Sequence, residues 1–189
     1  MDLRDAIIQI DGLFNKNLAD RIVNYLDKTN LKNLGIAAGS NLDIRNVKGL
    51  QISNDETIFN RNNITDFVFL QLIHNEIFKM LPNYLVKFKA LKLEKLIQVD
   101  LLKYDVGGKY EIHVDDFLLS TRSLTCIVNL NDTYKGGELS FFDTQKKNEI
   151  LKLNLKKGSA VFFPSNFLYP HKINPILEGN RYSIVSWLA

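Results

Sequence analysis

The sequence predicts an α+β fold that is mainly β, with helices first and a jelly-roll-like β core after them. Helical periodicity is confined to residues 1–90, and short apolar segments separated by Gly, Asn, Asp and Pro begin at residue 91. The length of 189 residues and the hydrophobic content of 46% suit one domain with its own core. We therefore expect residues 1–189 to form a single domain, with 1–90 as a helical and mixed support region and 91–189 as the core.

The first half of the chain contains two predicted helices and one predicted strand. A strand is expected at 7–10, stopped by an Asp-Gly turn, and an amphipathic helix at 16–28. A second periodic segment predicts a helix over 65–80, which Pro82 should end. The polar, weakly periodic stretch 30–63 is expected to consist of loops, with room for one short strand.

The second half reads as a series of short strands with turns between them. Segments of this kind, when they are numerous and evenly punctuated, are typical of an antiparallel sandwich or barrel. The strands are expected at 91–104, 110–114, 122–130, 137–142, 149–155, 159–163, 171–176 and 181–188.

Composition and charge exclude several classes of protein. One cysteine excludes an internal disulfide and a Cys-rich zinc site, and it fits a reducing compartment. No apolar run reaches the roughly 18–20 residues of a membrane helix, and no secretory signal is visible at the start. A net charge of +3 is too small to argue for nucleic acid. We therefore expect a cytoplasmic protein with neither nucleic acid nor membrane as a partner, while its oligomeric state is left open.

A metal site is indicated by three residues of the β half. His113 and Asp115 flank Val114 at a predicted strand end, and alternation points residues i and i+2 to the same face. His171 is the other histidine of this half and is the candidate third ligand. Two imidazoles and one carboxylate are the ligand set typical of non-haem Fe(II) oxygenases. His-x-Asp alone is common by chance, so the prediction depends on residues farther along the chain.

An anion site is indicated on the last predicted strand. Arg181 and Ser183 share one face of an otherwise apolar segment, where an unpaired charge would be costly. A guanidinium fork with a hydroxyl beside it can hold a carboxylate. We therefore expect Arg181 to bind an anionic ligand, with Ser183 as its neighbour in the site.

These elements, in this order, resemble the 2-oxoglutarate and Fe(II)-dependent dioxygenases of the prolyl 4-hydroxylase type. The resemblance covers about Leu101 to Leu188, and the N-terminal 90 residues match nothing usable. The matching segments are 104–115 (YDVGGKYEIHVD), 122–131 (RSLTCIVNLN), 136–139 (GGEL), 157–164 (KGSAVFFP) and 171–187, from His171 through Arg181 to Trp187.

The resemblance implies a double-stranded β-helix and a role for each matching residue. Arg181 would hold the far carboxylate of 2-oxoglutarate, and Tyr104 and Thr125 would line the cosubstrate pocket. Iron would be bound by His113, Asp115 and His171. The substrate proline would be surrounded by Tyr110, Arg122 and Trp187, although core packing is an open alternative for Tyr110 and Trp187.

The resemblance also implies the reaction. A peptidyl prolyl 4-hydroxylase would convert 2-oxoglutarate and O2 to succinate and CO2, with ascorbate as a candidate reductant and a proline-containing peptide or protein as substrate. The same chemistry on a free amino acid, a small molecule, another protein residue or an alkylated base is an alternative, and the small net charge argues against the base. A jelly-roll binding module with a vestigial site is the non-enzyme alternative, and the complete ligand set with Arg181 argues against it. A bacterial or viral origin is the expectation from size and composition.

Two departures from the family pattern bear on the site. Asn129 stands where related prolyl hydroxylases tend to carry a tyrosine that grips the cosubstrate, so weaker or water-mediated binding is expected. Arg181 replaces the lysine of the collagen-type enzymes. Outside the ligand set, His74 is expected on a helix surface and Cys126 in the core. Glu111 and Asp116 flank the metal motif, and either could contact a metal ligand, but exposure to solvent is the expectation for both.

Overall fold

The computed structural model describes residues 2–35, 41–53, 64–116 and 122–189. Its first half contains a 3-10 helix at Leu3–Ala6 and then, among the described residues, seven further elements. In chain order these are β1 Ile8–Ile10, α1 Lys16–Lys28, β2 Lys32–Asn33, β3 Arg45–Asn46, β4 Lys48–Ser53, α2 Ile64–Met80 and α3 Pro82–Leu85. No helix in the described part of the chain is long and apolar enough to cross a membrane.

The second half is made of strands. They are β5 Leu96–Tyr104, β6 Lys109–His113, β7 Leu124–Asn129, β8 Lys135–Gly136, β9 Leu139–Phe142, β10 Glu149–Leu153, β11 Ala160–Pro164, β12 His171–Ile173, β13 Ile176–Glu178 and β14 Arg181–Leu188. Eight of these ten strands, all but β8 and β13, lie close to the predicted ones, except that β5 begins at Leu96 and leaves residues 91–95 outside the sheet.

Two antiparallel sheets face each other, which confirms the predicted double-stranded β-helix. Among the described residues, one sheet has the strand order β1-β11-β7-β14-β5-β4-β2 and the other has the order β10-β9-β12-β6-β3. Most strands of the second half lie in a different sheet from the strand that precedes them along the chain, as in a jelly roll. A short third sheet pairs β13 with β8.

The prediction for residues 30–63 is wrong in its described part. β2, β3 and β4 lie there, and β4 pairs with β5 from Lys48 to Ser53. Only two apolar residues, Leu50 and Ile52, alternate in β4, so the period of two was too short to detect. Residues 36–40 and 54–63 lie outside the described residues. The second helix ends at Met80, as predicted, and Pro82 begins α3, where a missing N–H costs nothing.

The N-terminal helices pack on the outer face of the larger sheet, as predicted. Asn15 caps α1, since its side-chain oxygen accepts hydrogen bonds from the backbone N–H groups of Asn17 and Leu18. One apolar cluster joins the helices to the sheet; its members include Ile22, Leu26, Ile73, Ile77, Val99, Leu101, Cys126, Val128 and Ile184. Burying each large side chain of this kind contributes roughly 1.5–3 kcal/mol, so the helices are held mainly by this contact. That the whole chain is a single domain stays a prediction.

The inner face of the larger sheet carries several of the predicted site residues. β14 pairs with β5 on one side and with β7 on the other, and alternate residues of the three strands point between the sheets. The register aligns them in four rungs, which are Tyr104 with Arg181, then Leu102 with Ser183 and Asn129, then Asp100 with Val185 and Ile127, then Gln98 with Trp187 and Thr125.

Candidate active site

Three predicted metal ligands meet between the sheets. His113 ends β6, His171 begins β12, and the register of these strands places the two histidines opposite each other. The Nε2 atom of His113 lies 3.5 Å from one oxygen of Asp115, and that of His171 lies 3.6 Å from the other. The ligand atoms of the three residues all lie within 4.8 Å of one another. One ion can therefore contact all three.

Local backbone fixes the orientation of both imidazoles. The Nδ1 atom of His113 lies 2.8 Å from the carbonyl oxygen of Glu111, and that of His171 lies 3.0 Å from the carbonyl oxygen of Tyr169. A carbonyl can only accept, so each Nδ1 carries the proton and donates it. Each Nε2 lone pair is then free for the shared centre, the arrangement usual for metal-bound histidines.

The protonation states also suit a metal. Burial opposes ionisation of Asp115, but His171, His113 and the Thr125 hydroxyl outweigh it and hold the pKa of this carboxyl well below its usual range. Burial, with His113 nearby, lowers the pKa of His171 to about 4. Near neutral pH the site thus offers a carboxylate and a neutral imidazole, the forms that bind metal. A set of two nitrogens and one oxygen on one face fits Fe(II).

Thr125 lies against the metal ligands. Its hydroxyl donates to Asp115 at 2.7 Å and lies 2.9 Å from the Ser165 hydroxyl, which can donate in turn. All three side chains are buried. Thr125 therefore orients a ligand carboxylate, a more specific position than the general lining of the pocket that the resemblance implied.

Arg181 is a buried cation that faces the same interior. Only 1% of the residue is exposed, and its guanidinium lies 5.4 Å from the Tyr104 ring centre. One terminal nitrogen donates to the Ser183 hydroxyl at 3.1 Å, while Nε has no hydrogen-bond partner among the described residues. A buried guanidinium with only a neutral partner strongly favours an anion. The position fits the far carboxylate of 2-oxoglutarate.

Asn129 shares the inner face with Arg181, but its amide is already engaged. It donates to the carbonyl oxygens of Leu155 and Asn131 and accepts from the Tyr134 hydroxyl at 3.1 Å. These contacts tie β7 to the loops on either side of it. The side chain thus acts as a cross-link in this structure, and weaker cosubstrate binding at this position stays a prediction.

The three predicted substrate residues line an outer cavity of about 340 Å³ next to the metal ligands. The Tyr110 ring stacks on the His113 ring with centroids 3.5 Å apart, and burial raises the pKa of Tyr110 to about 12. The Arg122 guanidinium lies 3.9 Å over the Trp187 ring and donates to the Asp115 carbonyl oxygen at 3.2 Å. The structure thus brings all three to the entrance of the site.

Sequence reasoning missed three further residues of this cavity. Gln98 and Asp100 occupy β5 at the same parity as Tyr104, which was a usable signal, because an acid in an apolar strand calls for a partner. Arg45 gave no signal, since it lies in the segment predicted as loop. Its guanidinium lies 3.6 Å from the Asp100 carboxylate.

The remaining candidates lie outside the metal site. His74 stacks on Phe78 within α2. Cys126 is buried on the helix-covered face of β7, and burial raises the pKa of its thiol. Glu111 forms an ion pair with Lys109 at 2.7 Å, and only its backbone carbonyl reaches His113. The exposed Asp116 lies at the rim of the outer cavity.

A double-stranded β-helix with two histidines and an aspartate in its interior defines a class, the non-haem iron oxygenases. Residues 99–189 match the family model of the 2OG-Fe(II) oxygenase superfamily. This part of the chain has the core of a 2OG-Fe(II) oxygenase, and it is similar to hydroxylases of the prolyl 4-hydroxylase type.

Curated relatives agree with this assignment. A PKHD-type hydroxylase of Prochlorococcus marinus is 34% identical over 134 residues, which are 68% of this chain and 56% of the relative. A PKHD-type hydroxylase of Psychrobacter sp. is 32% identical over 112 residues, which are 53% of this chain and 41% of the relative. The chain thus spans about half the length of the curated relatives it matches.

Solved structures share the fold across almost the whole chain. A prolyl hydroxylase of Trichoplax adhaerens, in complex with a hypoxia inducible factor oxygen degradation domain peptide fragment, aligns with a TM-score of 0.76 and 18% identity over 97% of this chain and 83% of its own. A prolyl-4-hydroxylase of Pseudomonas putida aligns with a TM-score of 0.71 and 18% identity over 97% and 92%. The N-terminal elements are therefore part of the shared fold.

Proposed function

We propose that this protein is a 2-oxoglutarate and Fe(II)-dependent hydroxylase of peptidyl proline. The observation that carries the proposal is the buried Arg181, which lacks an anionic partner among the described residues and faces the same interior as the three metal ligands. An apolar residue at that place would stabilise the fold better than a buried cation does. A dicarboxylate cosubstrate, in contrast, needs a cation to bind its far carboxylate.

Each residue has a defined task in this proposal. His113, Asp115 and His171 hold Fe(II), and Thr125 keeps the Asp115 carboxylate in place. Arg181 binds the far carboxylate of 2-oxoglutarate with Ser183 beside it, and Tyr104 forms the wall of that pocket. The bound metal and cosubstrate supply the oxidation of a C–H bond by O2, coupled to conversion of 2-oxoglutarate to succinate and CO2. Ascorbate as a reductant belongs to the same proposal.

The choice of peptidyl proline is supported by the relatives and by the site entrance. The curated relatives are PKHD-type hydroxylases, and one structural neighbour is a prolyl hydroxylase with a peptide fragment bound. In this chain the Tyr110 and Trp187 rings line the cavity beside the metal ligands and give it apolar surface, against which a ring such as that of proline can pack. The cavity at this place is large enough for a short segment of substrate.

A blocked peptide library tests the proposal. Members of acetyl-Xaa-Xaa-Pro-Xaa-Xaa-amide are incubated with protein, Fe(II), 2-oxoglutarate, ascorbate and air, and mass spectrometry locates any added oxygen. We expect one oxygen on proline with stoichiometric succinate. His113→Ala should abolish both products, while the matched variant His74→Ala should leave both unchanged.

Other outcomes would contradict specific parts of the proposal. Succinate release with no modified peptide, but with oxygen added to a free amino acid, would contradict the peptide assignment. Oxygen on a residue other than proline would contradict the residue assignment. Unchanged turnover in His113→Ala would contradict the metal site itself.

A further inference from the structure

The outer cavity has a polar wall, formed by Arg45, Gln98, Asp100 and the indole N–H of Trp187. These polar groups have no task in the proposed oxidation itself. Arg45, Tyr110 and Trp187 line both this cavity and the inner one that contains the metal ligands. A substrate group that reaches the metal must therefore pass along this wall. Asp100 lies in this wall, one rung from Gln98 and two rungs from Arg181.

Asp100 is a buried carboxyl whose burial is only partly compensated. It is 3% exposed, and burial raises its pKa while Gln98, Arg45 and Arg122 act in the opposite direction. The neutral Gln98 amide donates to one oxygen at 2.8 Å, and the nearest Arg45 nitrogen lies 3.6 Å from the other, beyond hydrogen-bond distance. An apolar residue here would avoid the desolvation cost, so the carboxylate calls for a further donor.

The same wall contains donors that lack acceptors. The Nε atom of Arg45 and the Nε1 atom of Trp187 are buried and have no hydrogen-bond partner among the described residues. The other end of the Arg45 guanidinium is fixed by the Gly35 carbonyl oxygen at 2.8 Å. An acceptor and two donors around one cavity complement a peptide main chain, which offers N–H and C=O groups in turn.

We propose that Asp100, positioned by Gln98 and Arg45, is a specificity residue that accepts a hydrogen bond from a main-chain N–H of the peptide substrate. A peptidyl proline has no N–H of its own, so the nearest one belongs to the residue after it. The carboxylate then selects peptides in which this amide is present. This inference rests on the proposed function.

An ester substitution in the substrate isolates this hydrogen bond. The probe is the most strongly hydroxylated member of the blocked library, made once with the amide after proline and once with an ester, which replaces N–H by oxygen. The wild-type protein should lose about tenfold or more in kcat/KM on the ester, as expected for a hydrogen bond to a charged group. Asp100→Leu should lose less than about threefold, because its acceptor is already gone.

Three controls separate recognition from folding. The matched surface variant Asp20→Asn, which removes an exposed acid paired with Lys157, should show the wild-type ester penalty. The KM for 2-oxoglutarate should change by less than about twofold in Asp100→Leu, since Arg181, which binds the far carboxylate, lies two rungs away. Asp100→Asn keeps the shape of the side chain and should show a reduced penalty even if the leucine variant is unstable.

Two results would overturn the proposal in distinguishable ways. An equal ester penalty in the wild type, Asp100→Leu and Asp100→Asn would eliminate Asp100 as the acceptor and leave the proposed function intact. Succinate formation by the wild-type protein without hydroxylation of any library peptide would overturn the proposed function and this inference together. If the ester penalty is reduced in the Asp100 variants and stays at the wild-type level in Asp20→Asn, the result supports both the proposed function and this inference.

Discussion

At the scale of single residues, Arg181 shows how the site combines burial with charge. Its guanidinium is enclosed, and a neutral hydroxyl is its hydrogen-bond partner among the described residues. Arg181→Ala should raise the KM for 2-oxoglutarate at least a hundredfold, since an anion loses a partner worth roughly 3–5 kcal/mol. The Fe(II) requirement should change by less than about threefold. Steady-state succinate formation at varied cosubstrate and iron measures both, and equal effects would contradict the anchor role.

Thr125 gives a second prediction at this scale. Loss of its hydroxyl should weaken Fe(II) binding by about 10–100-fold, the usual effect of removing a partner that orients a metal ligand. Thr125→Val removes the hydrogen bond to Asp115 with little change in volume, and Thr125→Ser keeps it. Iron titration monitored by succinate formation should show a large shift for valine and a small one for serine. Similar shifts for the two variants would show that the hydroxyl has no such role.

Spacing along the chain made part of the site predictable and not the rest. His113 and Asp115 are separated by one residue, and strand alternation alone brings them to one face. Arg181 could be found because a charge in an apolar strand has few uses. Arg45 could not, since its position depends on the pairing of β3 with β6, which nothing local in the sequence encodes.

At the scale of elements, the contact between helices and sheet carries much of the stability. Ile22 of α1 is fully buried against the outer face of the larger sheet. Ile22→Ala should lower the free energy of unfolding by about 2–5 kcal/mol, measured by urea denaturation. The exposed neighbour Arg21→Ala should stay within about 0.5 kcal/mol of wild type.

The same variant tests whether helices and site are separable. The site residues point to the opposite face of the sheet, so the KM for 2-oxoglutarate of folded Ile22→Ala protein should match that of the wild type. A large increase in KM with little loss of stability would mean that α1 shapes the interior directly.

Element prediction succeeded where periodicity extended over several turns or alternations. α1 was predicted with its observed bounds, because its apolar stripe runs from Leu18 to Leu26 within a helix of 13 residues. β4 has six residues and contributes two apolar side chains, so its pairing with β5 is determined by tertiary contacts rather than by local sequence preference. The two-residue strands β2 and β3 are of the same kind.

At the scale of the whole molecule, Cys126 can report on unfolding. Its thiol is fully buried between sheet and helices, and burial raises its pKa, so little thiolate forms in the native state. Iodoacetamide at about pH 8, close to the pKa of a free thiol, should therefore label the protein only after it unfolds, with a rate that rises steeply with urea. The Ile22→Ala variant should be labelled faster, with the logarithm of the rate rising in proportion to its lost free energy of unfolding, whereas fast labelling of the stable wild-type protein would contradict this packing.

The four rungs between β5, β14 and β7 also constrain how the binding regions can change. In the proposed function, the same three strands contact cosubstrate and substrate, at depths fixed by a shared register of two residues per rung. A one-residue slip of the whole β14 strand in its pairing register would turn Arg181 and Trp187 outward together and bring Tyr182 inward. Mutation within the strands therefore cannot shift one binding region while leaving the other in place. New substrate preferences in such a barrel have to arise at its rim, through single side-chain exchanges and through segments such as β3 that reach the site from outside the strand framework.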